Sequence, residues 1–473
     1  MKNTFNGVRL DDNGRLIPTA YDKVETFEWY AQPPIYYIYV SPNGSDDNPG
    51  TCEEPLKSVQ TAIERAEPGT AVRLKPGLYD YESIFINNLN GTDKNPVWIG
   101  GVPDMDRPVL VNPSPLTIAG GSYVILHDIE VMRLSDPDKG GNPDSYEHGI
   151  HVSDGGNLDT THHFVFRNLY VHNIWNSPFK LSGLDYGYLF DCEVADDPLY
   201  GRNSGSVDHV RSNNMTMAYN YLHGTTTNGF SFKGGSRDCV IHNNLIVNAH
   251  VGAHMGQSTG VQFFRPELTD KNVYEAQNIR TYSNIMIDVL SPFVISSAKD
   301  CYAVNNTIIT RNPYDPSQAR LFRILNQGAT DENNNPLTAN DGVPHYNTIA
   351  NNLFYYGGSM AGEITNVGAN IPLDTFTIKN NMYYNWSDPN SMPDENKTYP
   401  TSATFRDFPY ENLITGKNPL FEDADNNDFG LRAESPAINA GADYDFVKED
   451  FFGKPFMQNR SIGAIESGYS RRV

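Results

Sequence analysis

Cysteine is scarce in this 473-residue chain: Cys52, Cys192, Cys239 and Cys301 lie far apart and form no CxxC pair. That excludes a zinc ribbon or a dense disulfide framework and leaves buried free thiols as the expectation. Positive charge is also in deficit. Lys and Arg number 35 against 57 Asp and Glu, a net charge of -22, so no general attraction supports nucleic acid or an anionic membrane as partner. No run of eighteen apolar residues occurs, and Met1 to Leu10 lacks the apolar core of a secretory leader. Neither a membrane span nor a signal peptide is expected from the chain.

What the chain does contain is a ladder of short units, each an apolar run anchored by asparagine. In order they are Asn168-Leu-Tyr-Val, Asn220-Tyr-Leu-His, Asn243-Asn-Leu-Ile-Val, Asn284-Ile-Met-Ile, Asn305-Asn-Thr-Ile-Ile, Asn351-Asn-Leu-Phe-Tyr and Asn380-Asn-Met-Tyr-Tyr. Comparable positions align at 168, 192, 220, 244, 284, 306, 352 and 381, a basic turn of roughly 22 to 28 residues with two large insertions. β-Branched and aromatic runs at that period, without a leucine-rich consensus, predict an all-β fold, a right-handed parallel β-helix. Each coil of such a solenoid buries its core against its neighbours, so one long domain over 35–473 is expected, preceded by a polar, proline-punctuated extension over 1–34 that wraps the first coils.

The start of the ordered body carries its own signals. Tyr36 to Val40 reads as a strand and Ser41 to Gly50 as a turn cluster. Pro55 to Ala66 places Val59, Ala62, Ile63 and Ala66 on one helical stripe. A one-sided helix there suits a cap, because an open solenoid end exposes core side chains and unpaired strand edges. Insertions near 134 to 148, 196 to 208, 250 to 275 and 311 to 346 are long enough to wall a groove. Asn418 to Phe421, Asp428 to Arg432, Ser435 to Gly441 and Ser461 to Glu466 read as an irregular closing segment.

The stretch from Tyr39-Val-Ser-Pro-Asn-Gly-Ser-Asp through Pro55, Val59 to Ile63, Pro68-Gly69 and Pro76-Gly-Leu-Tyr79 resembles the N-terminal region of β-helix polysaccharide lyases, especially the pectate and rhamnogalacturonan lyases of family nine. The resemblance implies fold first; lyases, hydrolases, epimerases and binding modules all use this scaffold. Asn228-Gly-Phe-Ser-Phe-Lys-Gly-Gly is similar to the Asn-Gly-Phe-Lys-x-Gly-Gly context of the family's catalytic lysine, with Lys233 two residues later than the family pattern. Strand alternation turns Phe230 and Phe232 one way and Lys233 the other. Gly234 and Gly235 are expected to leave the surface open for a sugar.

A lyase must take the C5 proton of a uronic acid, neutralise its carboxylate and help the C4 oxygen leave. Lys233 is the candidate base, His254 the candidate proton donor or positioning group, and Arg265 the carboxylate partner; all three are candidate catalytic residues. Arg323, Gln257 and Glu275 are candidate substrate-binding residues. A solvated strand lysine and a loop-anchoring Arg265 ion pair with Glu267 or Glu275 are the plainer readings of the same residues. Asp191, Glu193, Asp196, Asp197 and Asp208 form an acidic cluster of hard oxygen ligands suited to calcium, with Asp196, Asp197 and Asp208 the candidate metal ligands. Family-nine lyases are similar in binding calcium through aspartates before the base. The expectation is therefore a secreted or periplasmic enzyme that cleaves a uronic-acid-containing polysaccharide by β-elimination. The alternatives are a glycoside hydrolase working through an Asp/Glu pair such as Asp208 with Glu275 or Asp197, an epimerase, and a glycan-binding module whose 28 tyrosines stack on sugars.

Overall fold

The computed structural model describes residues 8–17, 32–80, 83–111, 116–133, 148–153, 161–174, 176–195, 205–224, 227–267, 273–328, 331, 333, 342–357, 360, 365–391 and 407–466. The chain divides into two compact units, Pro18–Asn220 and Met1–Ile17 with Tyr221–Val473. Each is a stack of three-sided coils whose successive strands pair in parallel.

In the Pro18–Asn220 unit one side runs through Tyr36–Val40, Thr70–Leu74, Val97–Gly101, Leu116–His127, Thr161–Arg167, Tyr188–Phe190 and Thr216–Ala218. A second runs through Ile84–Asn90, the first half of Leu116–His127, Ile150–Ser153, Phe179–Ser182 and Val207–Val210. The predicted cap forms as Val59–Glu64, shorter than its apolar stripe, with Ser58 accepting the Thr61 N–H and with Val59, Ala62 and Ile63 buried. Gln60 continues the sheet from this helix. Its Oε1 accepts the Phe85 N–H at 2.8 Å and its Nε2 donates to the Phe85 carbonyl at 3.1 Å, so part of the edge that a further strand would occupy is satisfied by one side chain.

In the other unit the core side chains alternate along Asn228–Lys233, Val251–Met255, Ser291–Ser296, Phe322–Leu325 and Thr365–Val367. The asparagine pairs explain the repeat. Asn243, Asn305, Asn351 and Asn380, with Ser283 in the same place, turn the corner at φ between 52° and 54°, a left-handed conformation that asparagine tolerates better than most residues. The following asparagines point inward and stack. Asn244 donates to Asn284 at 2.9 Å, Asn284 to Asn306 at 2.9 Å, Asn306 to Asn352 at 3.0 Å and Asn352 to Asn381 at 3.1 Å. Asn168 belongs to the corner series rather than the ladder, at φ 51°, so the first aligned position is Leu169 and not 168.

Two sequence expectations change. Val8 and Leu16, in the N-terminal extension, pack with Leu245, Ile285, Phe451 and Ile462 rather than with the first coils, because their short hairpin offers apolar surface to that cluster. Cys192, Cys239 and Cys301 are buried free thiols as expected, whereas Cys52 is exposed. The closing segment seals its own side: Gly463 donates to the Asn351 carbonyl at 2.7 Å and Ala464 to Thr307 Oγ1 at 2.9 Å.

Candidate functional site

The strand Asn228–Lys233 alternates as its sequence requires. Phe230 and Phe232 have no exposed surface and Lys233 is half-buried. His254 stands opposite Ser231, two positions before Lys233, on the neighbouring strand Val251–Met255. The row continues through Val294 and Arg323 to Asn366, and because the alternate row of Phe230, Ala253, Phe293 and Phe322 is the core, Lys233, His254 and Arg323 share the outward face. His254 is thus a strand residue, not part of an insertion; its Nε2 lies 3.4 Å from Ser296 Oγ. Arg323 is also on a strand, within the stretch read as an insertion.

The two glycines after Lys233 serve a different purpose from the one expected. Gly234 and Gly235 have φ of 65° and 81°, and a Cβ on Gly235 would stand 2.6 Å from the Arg265 carbonyl oxygen. The space is filled by backbone, not left for a sugar: the Arg265 N–H donates to the Gly234 carbonyl at 3.0 Å, and Arg237 Nη2 donates to the Arg265 carbonyl at 3.0 Å. This docking brings Arg265, buried over most of its surface, to the residues that follow Lys233.

Glu275 holds that corner together. Its Oε2 accepts the Gly234 N–H at 2.7 Å, its Oε1 accepts the Thr259 N–H at 2.7 Å, and its carbonyl accepts the Gly235 N–H at 2.9 Å. With no exposed surface it is out of reach of a sugar, which corrects its placement among the substrate-binding residues: a carboxylate that closes two backbone turns is occupied inward. Burial pushes its pKa up to about 8, against the two N–H bonds and the positive charge of Lys233, which lower it. Gln257, half-buried, is fixed by its N–H to the Phe232 carbonyl at 3.1 Å and accepts from Asn228 Nδ2 at 3.4 Å. His250, just before the His254 strand, has its pKa lowered by burial and by Arg323.

Only part of the acidic cluster falls within the described residues. Asp196 and Asp197 lie outside the described residues. Asp208 is fully buried and ion-paired with Lys180, which stands opposite it on the next strand, so the oxygens offered to calcium already hold an ammonium. Asp191 sits at a corner with φ 51°, its Oδ2 4.0 Å from Arg167 Nε, and Glu193 is buried opposite Tyr170. Among the described residues no three His, Cys, Asp or Glu side chains are placed to hold a metal ion.

Sequence reasoning missed one polar constellation, in the Pro18–Asn220 unit. His151 stands opposite Lys180 and its ring is 4.9 Å from that of His148. Burial, with smaller contributions from His151 and Lys180, drives the His148 pKa down to about 3, so both are held toward the neutral form. The alternation Ile150-His151-Val152, beside Phe179-Lys180-Leu181, was the available signal.

Comparison with known proteins agrees with this architecture. Residues 38–244 match the family model of the Pel9A-like right-handed beta helix region, and the fold is a right-handed parallel β-helix. The crystal structure of pectate lyase Pel9A superposes with a TM-score of 0.54 at 15% identity, covering 93% of this chain and 98% of that one. A rhamnogalacturonan lyase superposes with a TM-score of 0.53 at 13% identity over 78% of this chain and 94% of its own. In sequence, pectate lyase PEL9 of Emericella nidulans is 42% identical over 59 residues, 12% of this chain and 14% of the relative. The uncharacterized protein YwoF of Bacillus subtilis is 38% identical over 82 residues, 17% of this chain and 16% of the relative. The matched segments thus span less than a fifth of either curated relative. The chain resembles the family-nine-type lyases in fold.

Proposed function

We propose that this protein cleaves a uronic-acid-containing polysaccharide by β-elimination, with Lys233 as the base. The observation that carries the reading is the strand register: it turns Lys233 outward on the face that bears His254 and Arg323, while the backbone of Arg265 docks on Gly234 of the turn that follows. This collects positive charge locally on a chain whose net charge is -22, as an anionic sugar requires.

In the reaction, the amine nitrogen of Lys233 takes the C5 proton, the C4–O4 bond breaks as the C4=C5 bond forms, and a proton reaches O4 from His254 or from water. Arg265 and Arg323 neutralise the uronate carboxylate and so stabilise the charge that builds at C5. The step is written without calcium: Asp208 is ion-paired with Lys180, and Asp196 and Asp197 lie outside the described residues. Ser231 occupies the register that lysine holds in the family motif, and Lys233 is the next outward position along the same strand, which keeps the amine on the working face.

Of the carboxylates named for a hydrolytic pair, Asp208 and Glu275 have no exposed surface, which does not favour either as a group flanking a glycosidic bond; Asp197 lies outside the described residues. Incubation with pectic, algal and glycosaminoglycan polysaccharides tests the proposal. A product absorbing in the near ultraviolet, lost in Lys233→Ala, supports elimination. New reducing ends without that absorbance select hydrolysis, and retention on a glycan without cleavage selects a binding module.

A further inference from the structure

The Pro18–Asn220 unit carries a second feature that uronate cleavage does not use. On the strand Ile84–Asn90, Ile84 and Ile86 are buried, whereas Phe85 is 49% exposed. A cavity of about 630 Å³ opens between this strand and the capping helix, lined among others by Gln60, Glu64, Phe85, Asn87, Asn88 and Asn90. Its size falls in the range of small-molecule sites.

We propose that this cavity is a subsite for an uncharged sugar unit of a polysaccharide. An aromatic ring offers an apolar surface to the C–H face of a pyranose or furanose. Primary amides each present donors and an acceptor, which matches hydroxyls that donate and accept. Lys, Arg and His are absent from the lining, and Glu64 is its one charged group, so a uronate would be repelled where a neutral sugar is not. Charge therefore separates this subsite from the cationic face around Lys233.

The lining is held in place before any sugar arrives. Gln60 bonds both backbone groups of Phe85 and donates to Glu64 Oε1 at 3.0 Å. Asn90 Nδ2 donates to the Asn88 carbonyl at 2.8 Å, and its Oδ1 accepts from Ser122 at 3.0 Å. Such preorganisation lowers the entropy lost on binding. Phe85 also begins an outward row that passes through Thr117 and His151 to Lys180. Three rungs at about 4.8 Å make a track of about 14 Å, along which a chain seated on Phe85 can continue.

Calorimetric titration of the full chain with neutral hexasaccharides of galactose, arabinose and xylose tests this. At least one is expected to bind, about tenfold more weakly to Phe85→Ala, with affinity kept in Phe85→Tyr and in Lys233→Ala. Binding by none of the three, or equal binding by Phe85→Ala, overturns the subsite. Because Lys233→Ala removes the proposed base and leaves this binding intact, failure of elimination and failure of the subsite are read separately.

Discussion

The carboxylate of Glu275 accepts the Gly234 N–H at 2.7 Å and, through its other oxygen, the Thr259 N–H at 2.7 Å. One buried side chain thereby closes the turn after Lys233 onto the loop after His254. The clamp fixes the backbone turn that follows Lys233.

Glu275 makes stability pH-dependent, with a sign that can be worked out. Its pKa rises from 4.5 to about 8 on folding, so between those values the folded state keeps a proton that the unfolded state has lost. Stability is full below pH 4.5, falls as pH rises toward 8 and levels off above. Glu275→Gln, titrated by denaturant across that range, is expected to flatten this slope. An unchanged slope in the variant would assign the dependence to another group.

Lys233→Ala is expected to lower the rate of near-ultraviolet product formation by about 10² to 10⁴-fold, the usual cost of losing a general base. Its melting temperature should match the parent, since Lys233 is half-buried on the outer face. A variant that melts early would return the residue to a structural role.

Gly235→Ala joins two penalties. A left-handed φ of 81° costs alanine about 1–2 kcal/mol, and the new Cβ would meet the Arg265 carbonyl at 2.6 Å. Lower stability together with loss of activity is expected. Chemical denaturation and the absorbance assay on the same preparation measure both.

The asparagine ladder predicts a gradient. Asn306 accepts from both the backbone and the amide of Asn284 and donates to Asn352, so Asn306→Ala strands buried groups on two coils, about 2–6 kcal/mol at roughly 1–3 kcal/mol for each. Asn381→Ala, at the last rung, strands fewer and should cost less. Equal midpoints in urea for the two variants would refute the ladder as a cooperative element.

How much was legible depended on whether the signal was periodic or positional. The alternation of Phe230 and Phe232 against Lys233 could be read directly, because strand geometry converts parity into facing. The capping stripe of Val59, Ala62 and Ile63 was equally plain, though the helix is shorter than the stripe. Asn168 was misaligned by one because corner and ladder positions are both asparagine in four of the eight aligned coils and only φ separates them. Glu275 and Asp208 were misplaced for another reason. A carboxylate in an acidic chain reads as a surface group, and nothing local announces that Gly234, Thr259 or Lys180 will enclose it.

By itself the sequence determined the repeat: asparagine corners, inward apolar rows and a coil length that returns each strand beside its predecessor, since these follow from backbone geometry that any coil must satisfy. Only the tertiary structure decided what stands across each gap. It set His254 opposite Ser231, placed the Arg265 backbone on the two glycines, and paired Lys180 with Asp208. Those are contacts between residues 23 to 31 positions apart, counted as 254 minus 231, 265 minus 234 and 208 minus 180; insertion length sets them, and no periodic rule fixes insertion length.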